Sequence, residues 1–424
     1  MQAFDKLRPN GVFVNVFTET NCWEQTYMPI KKDMEKTLDA LRDKKAESRP
    51  VIFDLAQSAD RARFEALMDE GAIKHISDEY EEQQRELFGI RNPSRVYAPG
   101  FEESFQEHYR ALATDKPLFQ HGRWAYFPWR YLAAHILPEE EYHLVRTARN
   151  QNLITQEEQK KFYNATIGIA GLSVGSSVAF AIALSGGGKR MKLADMDRLA
   201  LTNTNRVLAG ADRLGMLKVE MAARTIYEIN PYAELELYPE GLTPGNIGRF
   251  FDGLDIVIDE IDNLAMKYLI REQAKKHRLA VVMAADNGDN AVVDVERYDI
   301  APQPAFFHGR MGEVSYEMLS SLDKFGIGKM ITKHVGPENV TERMQQSLTQ
   351  MGKTIVSWPQ LGGAAMVNGA AVAYCARKIL NGQPLEMNRA LVSLDEKLVP
   401  DYNSAEAIAR RQKISGDFAK GFGL

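Results

Sequence analysis

Four charged side chains, Asp195, Arg206, Lys218 and Asp262, follow a small-residue turn in the order a nucleotide site would need them. The turn is the stretch ATIGIAGLSVGS at 165–176, a short apolar strand running into glycine. Phosphates are held by backbone N–H groups at a helix N-terminus. Gly171 supplies the tight turn, and Gly175 adds slack. Ser173 and Ser176 stand where the fingerprint G-x-G-x-x-G would have glycines, yet they are small enough for the backbone to approach, and their hydroxyls can donate. Asp195 ends the next strand 24 positions after Gly171, where an acidic residue accepts from ribose hydroxyls. Asn203, Asn205 and Arg206 come just beyond that strand end, and Lys218 opens the following helix. Two cations beside a phosphate loop exceed the needs of a dinucleotide pyrophosphate and suit a triphosphate under attack. Asp262 has two readings. Its type and position before a helix fit an N-cap. Its place at the carboxyl ends of parallel strands fits a Mg²⁺ ligand, because that cation takes one or two carboxylates plus phosphate oxygens.

The elements that must position these groups divide into three regions: 1–145, 146–300 and 301–424. The middle region alternates strands and helices. Near-continuous apolar runs at 166–170, 191–195, 234–239, 254–260 and 280–285 read as parallel strands covered on both faces. Helices at 176–185, 213–229, 243–251 and 263–277 separate them. The pattern is that of an α/β, Rossmann-like, doubly wound and mostly parallel sheet, preceded by an N-terminal α/β extension. The extension carries one clear strand, 49–55, polar helical segments, and an aromatic run at 121–146. Trp124, Tyr126, Phe127 and Trp129 of that run are expected to pack against the next domain, with His121 and His135 structural. In the last region, 336–356 reads as a polar, mobile segment and 362–380 as a small-residue helix packed closely on the sheet. The tail after 400 reads as surface-exposed and partly disordered.

Composition excludes several classes. The 424 residues are 45% hydrophobic and 26% charged, with a net charge of −5, which gives no electrostatic footprint for nucleic acid. No apolar run reaches the roughly 20 residues a membrane helix needs, and the N-terminus lacks the apolar core of a signal peptide. A cytoplasmic location is expected. Cys22 and Cys375 are the only cysteines, too few for a disulfide framework or a four-cysteine zinc knuckle.

Taken in order, the segment 146–300 resembles the ThiF/MoeB/E1 superfamily of ATP-dependent activators of ubiquitin-like proteins and related carboxylates. The resemblance is carried by GLSVGS, Asp195-Met196-Asp197, TNTNR at 202–206, Lys218, IDNLAMK at 261–267, and Arg146-Thr147-Ala148-Arg149 upstream. It implies that Asp195 binds ribose, with Asp197 completing the acidic pair of the nucleotide site. Asn203, Arg206 and Lys218 contact phosphates, Asp262 holds Mg²⁺, and Arg149 reaches the ATP of a partner subunit in a homodimer. The implied reaction is attack of a protein or peptide carboxylate on the α-phosphorus, releasing pyrophosphate and leaving an acyl-adenylate. That chemistry asks the protein for alignment and charge stabilisation. The layout, with its extension ending in the WAYFPW run and RNQNLIT, also resembles the ThiF-type half of bacterial chains fused to a nitroreductase-like partner.

The departures carry information too. Lys267 stands where the family has arginine, and the family's C-x-x-C pairs are missing, so no zinc is expected. Cys375 lies in an apolar helix and reads as a small buried hydrophobe. Cys22 has nothing nearby to lower its pKa, so no enzyme thioester is expected. His308 and Arg310 could line an acceptor channel, against a plainer reading as loop residues with local hydrogen bonds. Two other functions stay open: a NAD- or FAD-dependent oxidoreductase, motivated by the strand, turn and Asp195 alone, and a non-catalytic scaffold that keeps the nucleotide fold to bind a partner.

Overall fold

The computed structural model describes residues 34, 36–38 and 47–424. Two compact units are present, Met1–Ala46 and Glu47–Leu424, and all that follows concerns the second. Cys22 lies outside the described residues. Among the described residues no helix is long and apolar enough to cross a membrane.

The extension builds a sheet of its own. Strands β1 (Val51–Phe53), β2 (His75–Asp78), β3 (Arg123–Phe127) and β4 (Leu132–Ile136) are ordered β1-β3-β4-β2, with β2 parallel to β4 and the other pairs antiparallel. Within the aromatic run at 121–146, residues Arg123–Phe127 form a strand whose side chains alternate between faces as period two requires. Trp124 and Tyr126 join Phe53 and Phe64 within this sheet's own core. Ala125 and Phe127 face the other way, with Trp129 and Tyr232. That second face meets the neighbouring region, where the Trp129 indole donates to Glu228 at 2.7 Å. Three of the four strands were missed, because HISD is polar and exposed, LAAHI is alanine-rich, and the aromatics masked β3. His135 is structural as expected, held between Asp78 and the His121 carbonyl and stacked on Trp124.

The larger sheet has seven strands in the order β11-β10-β9-β8-β5-β6-β7. They are β5 (Thr166–Ala170), β6 (Arg190–Ala194), β7 (Glu234–Tyr238), β8 (Ile256–Asp259), β9 (Ala280–Asn287), β10 (Asn290–Arg297) and β11 (Asn388–Val392). Pairs among β5 to β9 are parallel, and β10 and β11 add antiparallel edges. This is the expected α/β architecture, mostly parallel and doubly wound. Strand order reverses between β5 and β8, which creates the crevice where such sheets take ligands. β10 was not anticipated. It follows a tight turn at Gly288 (φ +67°), and its charged residues disguise a strand buried on both faces.

Helices α1 (Val174–Leu184), α2 (Lys218–Ile229), α3 (Leu264–His277), α4 (Glu342–Leu348), α5 (Gly362–Leu380) and α6 (Ala405–Phe422) matter for the site and its surroundings. α2 begins five residues later than expected because Leu217 is still extended, bridging to Arg198. α5 packs on β9 and β10 as its small residues suggested, and also on α1, where a Cβ at Gly369 would come within 2.7 Å of the Ser177 carbonyl. The segment expected to be mobile contains α4, which buries Met344 and Leu348 against Val292, Val340 and Phe418. The tail expected to be partly disordered is α6, capped by Ser404.

Candidate functional site

The glycine turn sits at the strand-order reversal, between the ends of β5 and β8. Gly171 has φ +86°, and a Cβ there would collide with the Glu260 carbonyl just past β8. Gly175 faces the same residue, with a Cβ falling 3.3 Å from the Glu260 side chain. Glycine at 171 is therefore demanded by both conformation and space.

Two charged groups grip consecutive residues of this turn. On one side Asp195 accepts from the Leu172 N–H at 2.6 Å and the Asp197 N–H at 2.8 Å. Burial raises its pKa, with Lys218 and these two N–H groups opposing. Asp197 in turn holds the Lys218 ammonium at 2.8 Å. Lys218 is only 5% exposed and occupies the first position of α2. A cation at a helix N-terminus opposes the helix dipole, and here the Asp197 carboxylate offsets that cost.

On the other side Arg206 donates to the Ser173 hydroxyl at 3.2 Å, and to the Asn205 side chain at 3.0 Å. Burial lowers its pKa, with Asp286 and Asp262 pulling the other way. Asp262 is exposed. It does not cap α3, because Asn263 does so by accepting from the Met266 N–H at 3.0 Å. The cap reading thus passes to its neighbour, and the Asp262 carboxylate stays available to a cation that brings its own waters and phosphate oxygens. Among the described residues no three His, Cys, Asp or Glu side chains converge as a metal site.

Four of the sequence-derived candidates spend their polar atoms on local partners. The Ser176 hydroxyl is buried and donates to the Ser173 carbonyl at 2.8 Å. The Asn203 side chain accepts from the Ala200 N–H at 3.0 Å, closing its own short turn. Arg310 bonds Asp294 and Asn388, while His308 meets the Val295 carbonyl at 3.0 Å, which is the plainer of its two readings. Arg149 is exposed and belongs to a turn tied through Asn150 to the Ser185 carbonyl, beyond the far end of α1. The eleven residues of α1 separate it from the glycine turn by roughly 16 Å within one chain. Cys375 is buried, and burial pushes its thiol up to about 11, as a small hydrophobe should be.

Sequence reasoning missed Asp286, Gln360 and Asn368. Asp286, at the end of β9, accepts from Gln360 at 3.0 Å and from the fully buried Asn368 of α5. Their signal was faint, because amides and one carboxylate scattered over 83 positions show no spacing.

A doubly wound sheet with a glycine turn, an acidic residue and two cations at its reversal point defines a nucleotide-site architecture. Residues 146–299 match the model described as ThiF family, and the chain carries a ThiF family domain there. An uncharacterized protein of Mycobacterium tuberculosis (strain CDC 1551 / Oshkosh) is 36% identical over 309 residues, 72% of this chain and 43% of that protein. The tRNA threonylcarbamoyladenosine dehydratase of Escherichia coli (strain K12) is 33% identical over 130 residues, 30% of this chain and 48% of the enzyme. The adenylyltransferase and sulfurtransferase MOCS3 of Drosophila sechellia is 33% identical over 116 residues, 27% of this chain and 25% of that protein. The chain thus spans less than half the length of each of these relatives.

Proposed function

We propose that the protein activates a carboxylate, borne by a protein or peptide, as its acyl-adenylate at the expense of Mg·ATP. The observation that supports this reading most is the charge gathered beside one glycine turn: Arg206 bonds the Ser173 hydroxyl, Asp195 takes the Leu172 N–H, and Lys218 pairs with Asp197, whose N–H Asp195 also takes. A dinucleotide pyrophosphate needs less positive charge than this. The adenylyltransferase named among the relatives points the same way.

In this reading the triphosphate lies along the turn, with ribose on Asp195 and the α-phosphate between Arg206 and Lys218. A carboxylate oxygen of the substrate forms a bond to the α-phosphorus. The bond from that phosphorus to the bridging oxygen breaks, and pyrophosphate leaves with the electron pair. No proton needs to move, so the protein contributes alignment and charge stabilisation. Asp262 would hold Mg²⁺, which offsets charge on the departing pyrophosphate. Arg149 would act across a homodimer, because its own turn is far from its own site. No covalent enzyme thioester is proposed.

Calorimetry tests the reading against the dinucleotide alternative. Mg·ATP should bind, and NAD⁺ and FAD should bind more weakly by tenfold or more. Preferential uptake of NAD⁺ or FAD would overturn the proposal in favour of an oxidoreductase. Binding of ATP with no turnover across carboxylate-bearing peptides would favour the scaffold.

A further inference from the structure

Residues 349–361 join α4 to α5 and end at the carboxyl edge of the parallel strands. The middle of the segment is exposed, with Val356 almost wholly so and Lys353 open to solvent. Its end is held firmly. The Gln360 carbonyl accepts from the Asn205 side-chain amide at 2.7 Å, and the Gln360 side chain donates to Asp286 at 3.0 Å. Asp286 is 8% exposed and is fixed from behind by Asn368. Two residues on, Gly362 lies so near the Asn205 carbonyl that a Cβ would come within 2.5 Å. The same Asn205 side chain turns its oxygen to Arg206, at 3.0 Å from the guanidinium. One amide group therefore holds the segment with its nitrogen and Arg206 with its oxygen.

We infer that Asn205 and Gln360 clasp the 349–361 segment to Arg206, so that the seating of this segment and the aim of the guanidinium at a phosphate are set together. Both are positioning residues. The inference rests on the reading that Arg206 meets a nucleotide phosphate. With the segment unclasped, Arg206 loses its Asn205 partner. With it clasped, the guanidinium is held ready for the ligand. Linkage then runs both ways: a ligand that favours the aimed Arg206 must also favour the seated segment.

The test uses the full chain and the variants Gln360→Ala and Asn205→Ala. Tryptic cleavage after Lys353, followed by mass spectrometry without nucleotide, reads the seating. A net hydrogen bond corresponds to roughly two- to tenfold in an equilibrium, so cleavage should accelerate by about that factor. Mg·ATP affinity should fall by a similar factor, and ATP should slow the cut in the unaltered chain but not in Asn205→Ala. Unchanged cleavage in both variants would refute the clasp. Faster cleavage with unchanged ATP affinity would refute the coupling. If the unaltered chain takes up no Mg·ATP, the adenylation reading and the coupling fail together, whereas the cleavage rates still decide whether the clasp exists.

Discussion

Lys218 is placed against the electrostatic preference of its own helix. It stands at the positive end of α2, buried to 5% exposure, with the Asp197 carboxylate as its ionic partner. If it and Arg206 stabilise charge on an attacked phosphate, Lys218→Ala and Arg206→Ala should each slow ATP–pyrophosphate exchange by about 10²–10³-fold, with little change in melting temperature. Asp262→Ala should abolish the exchange, and full retention would remove its metal role. Asp286 supplies a pH test. Burial raises its pKa from 3.8 to about 6, with Gln360, Asn368 and Arg206 opposing. The folded state therefore holds this proton more tightly than the unfolded chain. The resulting stabilisation is complete below pH 4 and is lost as pH rises towards 6, on the order of 2–3 kcal/mol. The melting temperature of the unaltered chain relative to Asp286→Asn should fall across that window, and a flat difference would contradict the assignment.

At the scale of elements, the turn at Gly171 depends on a positive φ and on a missing Cβ at the Glu260 carbonyl. Gly171→Ala should lower stability by about 1–3 kcal/mol and weaken ATP binding at once, checked by urea unfolding and calorimetry. Behind the turn, the fully buried Arg271 of α3 bridges Asp259 at the end of β8 and Glu296 of β10. Arg271→Ala removes the one cation that bridges both buried carboxylates, leaving Asp259 with Lys267 alone and Glu296 with the neutral donors Tyr298 and Phe307 N–H, and should cost about 3–5 kcal/mol. The five parallel strands were legible because they are continuous apolar runs, and the glycine turn because φ-positive glycine has few substitutes. β10 was hidden because its Asp294 and Glu296 are charged yet buried, satisfied by Arg389 and Arg271 contributed from distant sequence. Long-range pairing of this kind leaves no local period to read. The same reason hid Asp286 and Gln360 at the site, and it made α4 look mobile, since its polar face is on view in sequence while Met344 and Leu348 do the packing.

For the whole molecule, the open element is Arg149, exposed and beyond the far end of α1 from the turn. If it acts across a homodimer, Arg149→Ala and Arg206→Ala should each be inactive alone. Mixed and allowed to exchange subunits, they should regain up to about a quarter of the activity, because half of the dimers are mixed and one of the two sites in each has both arginines. No recovery on mixing would place Arg149 outside the reaction. The account as a whole requires that Asp195, Arg206, Lys218 and Asp262 surround one polyphosphate. A crystal structure with Mg·ATP tests this most directly. The account predicts ribose hydroxyls on Asp195, phosphate oxygens within hydrogen-bond reach of Arg206 and Lys218, and the cation on Asp262. A nucleotide bound elsewhere, or a triphosphate touching neither cation, would contradict it.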